Sequence, residues 1–318
     1  MIVPRRALVR PRALAPSTGA SLPLDELLAP FLEGGRGGSI QVVGAAGMGK
    51  TTALEHLAAV YSHRSDLWLV DERPDREEIG SPPEACRWVI RTLSFPRPTL
   101  GSAVILHLAP WREDEWIEYL LAAHKASCGS VIARLRREER PVDGTPELCR
   151  IVLDQLAADE ALTNARAALW REAQRRFPDD EARALAATVG RATLLEPNAV
   201  QDQVNAVCAY AASGEAMRLL RHRAVQLLVT ADALAAELET HQRCDLFSSR
   251  LSRDLVEELA ALAFERPLTQ AALQQVVRAP ESVFHAMAAS VLHAAGGWRP
   301  RNNGLDPGAA GLAGLDFG

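Results

Sequence analysis

The sequence predicts an α/β domain, a parallel sheet with flanking helices, followed by an all-α helical domain. Three observations carry this reading. Between residues 24 and 135 short apolar runs alternate with stretches of helical period, the rhythm of βαβ units. From about residue 146 to 292 the β-branched runs vanish and apolar residues recur at helical spacing, as in Met217, Leu220, Ala224 and Leu227 or Leu255, Leu259 and Leu262. The composition, 48% apolar and 24% charged, is that of a folded chain, and 318 residues suffice for two domains of about 100–200 residues each.

Charge and composition exclude several function classes. Thirty-five basic against 40 acidic residues give a net charge of −5, without the overall positive field that draws nucleic acid. No apolar stretch approaches the roughly 20 residues of a membrane span, so no membrane partner is expected. The five cysteines (Cys86, Cys128, Cys149, Cys208, Cys244) are scattered without a C-x-x-C, which argues against a disulfide framework or zinc site. A reducing, cytoplasmic setting is expected.

In chain order, residues 1–23 carry Arg5, Arg6, Arg10 and Arg12 among prolines and read as a flexible basic tail. Residues 39–43 (SIQVV) read as a short buried strand, and 51–61 as a helix with Leu54, Leu57, Ala58 and Tyr61 turned inward. Between them Gly44, Ala45, Ala46, Gly47, Met48, Gly49, Lys50 and Thr51 complete a G-x-x-x-x-G-K-[ST] pattern in the strand–loop–helix setting it requires. Glycines there let successive amides turn around a phosphate, and the positive end of the following helix adds to the attraction. Lys50 would bridge the β- and γ-phosphates, Thr51 would place its hydroxyl on Mg²⁺, and Thr52 continues the cradle.

Residues 67–70 (LWLV) form an apolar run that ends in Asp71 and Glu72. A strand closing on two acids supplies a magnesium anchor, Asp71, and a group to polarise attacking water, Glu72. Residues 87–94 and 103–108 read as two further strands, and 109–120 as a turn opening a helix. Asp143, Gly144, Thr145 and Pro146 read as a turn into another helix. These features set an α/β domain over residues 24–142, a helical domain over 143–296 and a Gly/Pro-rich tail over 297–318. The helical part reads as seven or eight helices, with Pro178, Pro197, Pro267 and Pro280 near helix starts.

The G-x-x-x-x-G-K-T loop and the LWLVDE strand together resemble the P-loop NTPases. The order of Walker A, Walker B, a third strand, a lid helix and a Gly-Thr-Pro turn is similar to that of the AAA+/STAND (NACHT-like) ATPases, over about residues 39–150. The resemblance implies an ATP-binding, ATP-hydrolysing molecular switch, with Mg²⁺ as cofactor, that couples nucleotide state to domain arrangement and to a protein partner or self-association. It implies that Pro146 lies against the adenine ring. Two departures stand out: the third strand lacks the usual Thr-Ser/Thr-Arg, leaving Arg91, Thr92 and Arg97 as sensor candidates, and the strand expected between Walker A and Walker B is missing. Two other functions fit the same loop. One is a small-molecule kinase with a lid built from Arg134, Arg136, Arg137 and Arg140. The other is an interaction scaffold that holds nucleotide with slow or no turnover. At the C-terminal end, Ala310-Gly311-Leu312 and Leu315-Asp316-Phe317 resemble the start of a pentapeptide-repeat array.

Overall fold

A computed structural model describes residues 4–34, 37–71, 84–97, 104–138, 144–195, 218–241, 251–279 and 284–296. Glu72, Asp143, Arg140 and the repeat-like residues 310–317 lie outside the described residues. The chain divides into two compact units, Met1–Glu172 and Ala173–Gly318.

The first unit is built on a six-stranded mixed sheet. Its strands are β1 (Arg12–Leu14), β2 (Ser21–Pro23), β3 (Gly38–Val43), β4 (Leu67–Asp71), β5 (Trp88–Leu93) and β6 (Val104–Leu108), in the spatial order β2-β1-β6-β3-β5-β4. The run β6-β3-β5-β4 is parallel as expected. The two N-terminal strands add to it antiparallel, which makes the sheet mixed. One face of the parallel strands is covered by α1 (Leu24–Glu33) and α2 (Lys50–Val60), and Leu24, Leu28, Leu54 and Leu57 pack there against Ile40, Val42, Ile90 and Leu106. Apolar side chains at this helical spacing bury one stripe against the sheet, which is what holds α2 over the end of β3.

The expected flexible tail is corrected here. Ala13 is fully buried between β2 and β6, and two of the four arginines of this arm, Arg10 and Arg12, are paired with acids. Arg10 meets Asp25 at 2.6 Å and Glu26 at 2.8 Å, while Arg12 reaches the buried Glu115 at 3.2 Å. Acids of α1 and α3 (Glu113–Ala123), distant in sequence, neutralise the arm and let it pair.

Helices α4 (Cys128–Leu135) and α5 (Pro146–Ala158) pack with α3 over Leu120, Val131, Leu135, Leu148, Val152 and Leu156, all buried. Pro146 opens α5 at a position where a missing N–H costs little. The division between units falls within α6 (Ala165–Arg176), so α5 belongs to the first unit rather than to a helical domain beginning at residue 143. Physical ties explain this: Arg134 of α4 donates to the carbonyls of Leu156, Asp159 and Leu162 at the C-terminal end of α5, at 2.5–3.1 Å.

The second unit is helical among its described residues: α7 (Asp180–Leu195), α8 (Arg223–His241), α9 (Arg253–Glu265), α10 (Pro267–Arg278) and α11 (His285–Ala294). Its core gathers Leu234 and Leu238 of α8 with Leu255, Leu259, Leu273, Val291 and Leu292. Ser252 caps α9 by accepting from the Leu255 amide, and Pro267 opens α10. Among the described residues no helix is long and apolar enough to cross a membrane.

Candidate functional site

The loop after β3 stands at the carboxyl end of the central parallel strand, with β6 on one side and β5 on the other. In open α/β sheets ligands bind at that end, where neighbouring connections diverge. Gly47 and Gly49 hold φ of 78° and 79°, the left-handed region that a side chain would strain, and their turns bring the chain straight into α2. Gly44 serves differently. Its N–H donates to Leu93 O at 3.0 Å, and a Cβ there would press on Met48 and Leu108 at 3.0 and 3.3 Å. Met48 packs partly into the sheet core and donates its N–H to Ala45 O, closing the loop at 3.3 Å. Ala45, Ala46 and Thr52 are exposed.

The first bond of the α2 ladder runs from Ala53 N–H to Gly49 O. The amides of Lys50, Thr51 and Thr52 precede it and have no intrahelical acceptor, so they form the positive end of the helix. The Lys50 ammonium donates to Gly44 O at 2.6 Å and Ala45 O at 3.0 Å. Burial pushes its pKa below the ordinary lysine value, and the nearby charge of Asp71 opposes that shift.

Asp71 closes β4 opposite Thr92 of β5, and Thr92 stands opposite Val42 of β3. Residues in one such row share a face. That face is the one α2 covers, so Thr51 meets Asp71 from above: its hydroxyl donates to Asp71 Oδ2 at 2.9 Å. The fully buried Thr92 hydroxyl donates to Asp71 Oδ1 at 2.7 Å.

Of the residues singled out in the sequence, the structure thus brings together Gly44 to Thr51 and Asp71. Pro146 joins them, because the next residue, Glu147, donates its N–H to Gly47 O at 3.1 Å. The sensor candidates separate. Thr92 faces Asp71; Arg91, one residue earlier on the strand, points to the opposite face. The Arg97 backbone is gripped on both sides by the buried Gln41 amide, at 2.7 and 2.9 Å. Gln41 was legible in principle, as the polar residue that interrupts Ile40, Val42 and Val43 of β3.

The donor set suits a hard divalent cation. A hydroxyl and a carboxylate side by side offer oxygen only, and magnesium commonly keeps waters and takes one or two carboxylates plus phosphate oxygens. Among the described residues no group of three or more His, Cys, Asp or Glu is placed to hold a metal. Comparison of the chain with protein-family profiles and with curated proteins finds no match.

Proposed function

We propose that this chain is a magnesium-dependent P-loop ATP-binding protein, with ATP hydrolysis by a STAND-type switch as its activity. The observation that carries the reading is the contact of Thr51 with Asp71 at 2.9 Å, next to Lys50 at the mouth of α2. Thr51 and Asp71 are 20 positions apart in the sequence and are brought into contact by the fold, which supports a shared role at the phosphates and metal of a nucleotide. The loop amides and the α2 N-terminus donate to the phosphate oxygens. Lys50 exchanges its two loop carbonyls for phosphate oxygens. Thr51 keeps its proton on Asp71 and turns a lone pair outward, since a hydroxyl has one donor and two acceptor sites. The magnesium, when bound, draws negative charge away from the phosphates. Glu72, directly after Asp71, is the proposed water-polarising base.

Two of the four lid arginines of the kinase alternative are engaged elsewhere: Arg134 holds carbonyls at the C-terminal end of α5 and Arg136 pairs with Glu113. That counts against an acceptor-binding lid.

The test is calorimetric titration of Mg·ATP together with phosphate release. A hydrogen bond to a charged group contributes about 1.5–3 kcal/mol, so Lys50→Ala should weaken binding by about 10–100-fold. Glu72→Gln should bind as wild type and lose turnover. Equal, weak binding by wild type and Lys50→Ala would sink the reading.

A further inference from the structure

We propose that Thr92 is a positioning residue for the divalent cation, acting through Asp71 without touching metal or nucleotide; this rests on the nucleotide reading above. Three facts carry it. The β4–β5 register sets Asp71 directly against Thr92. The two hydroxyls of Thr51 and Thr92 donate to different oxygens of one carboxylate, at 2.9 and 2.7 Å, so its rotation about χ2 is fixed from both sides. Thr92 is 0% exposed and therefore out of reach of any ligand.

The division of labour follows from what each hydroxyl can do. Thr51, half-buried at the head of α2, keeps two acceptor lone pairs after donating to Asp71 and can share a cation with it. Thr92 lies within the sheet, between Asp71 and Val42, and its hydroxyl donates to the carboxylate. Each hydroxyl narrows the angles at which the carboxylate can present its oxygens. Together they hold both oxygens before the cation arrives. Groups that orient a ligand in this way commonly change metal affinity by 10–100-fold when removed.

The experiment uses the full chain with Mn²⁺ as a paramagnetic probe and a non-hydrolysable ATP analogue. Free Mn²⁺ is read by electron paramagnetic resonance, and nucleotide affinity is measured separately in excess chelator. Thr92→Val matches the side-chain shape and lacks the hydroxyl. It should weaken Mn²⁺ binding by about 10–100-fold while chelator-phase nucleotide affinity stays at the wild-type value. Thr92→Ser restores the donor and should restore Mn²⁺ affinity. If Thr92→Val yields too little folded protein, Thr92→Ala, which also lacks the donor, gives the same comparison.

Wild-type Mn²⁺ affinity in Thr92→Val overturns the proposal. So does an equal loss of nucleotide affinity in chelator, which would make Thr92 a structural support of the whole loop. If wild type binds no nucleotide that Lys50→Ala loses, the nucleotide reading itself has failed and the positioning role falls with it.

Discussion

His56 lies on α2 beneath the N-terminal arm, where the Ala7 N–H donates to its Nδ1 at 3.3 Å. That bond assigns the neutral tautomer with the proton on Nε2, which is buried and has no hydrogen-bond partner among the described residues. Burial pushes the imidazole pKa below its ordinary value; Asp25 and Glu118 oppose the shift, and Arg10 and Arg6 add to it. The native state therefore binds fewer protons than the unfolded chain as pH falls. The stability contributed by neutral His56 is complete above about 6.5 and is lost as pH drops from there toward the depressed native value. Urea midpoints measured from pH 8 down to 5.5 should fall for wild type. His56→Asn keeps an acceptor and does not titrate, so its midpoints should fall less; equal slopes would refute this role. At this scale the site was partly legible. Gly47, Gly49, Lys50 and Thr51 are contiguous, so their joint chemistry is written in one stretch. Thr92 acts across a strand pairing with Asp71, and such a register is set by tertiary packing, which a string of residues does not display.

The N-terminal strands show the same limit for elements. β3 is legible because an apolar run flanked by glycines has one reading. β1 and β2 are three residues each, rich in Arg and Pro, with neither the length nor the alternation of a strand. What makes them strands is supplied from elsewhere: a free edge on β6 and acids on α1 and α3. The Arg12–Glu115 pair is the most telling, since Glu115 is only 6% exposed and also accepts from the Arg112 N–H at 2.7 Å. Arg12→Ala leaves a buried carboxylate short of its cation. The side chain of Arg12 is itself 32% exposed, so water offsets part of the loss and the cost should be about 1–3 kcal/mol. A lowered midpoint in chemical denaturation, with an unchanged slope, is the expected result. A solvated tail would give a change near zero. For α5 the element was legible from its opening proline and its apolar period, whereas its membership of the first unit was not, because that depends on Glu147 bonding the loop at Gly47 and on Arg134 capping its carbonyls.

For the whole molecule, the two units have separate cores. Ile40, Leu54 and Ile90 belong to one, and Leu234, Leu259 and Leu273 to the other. All the described residues of the candidate site lie in the first unit. Separate cores predict two transitions in differential scanning calorimetry, one for each cooperative unit. A ligand that binds only the folded first unit stabilises it by about 2.7 kcal/mol at 100 times its dissociation constant. Mg·ATP should therefore raise the transition assigned to the first unit, and Lys50→Ala should cancel that rise. The switch reading demands more. Coupling between a nucleotide and a second unit is reciprocal, so a nucleotide that biases the second unit must also change its stability. Near-complete switching requires a differential of about 5.5 kcal/mol, which would displace a transition by many degrees. On the switch reading both transitions move with Mg·ATP, and they move by different amounts with ADP. If the first transition alone responds, and responds equally to ATP and ADP, nucleotide binding stands while the switch falls, leaving a scaffold that carries its nucleotide as a structural ligand.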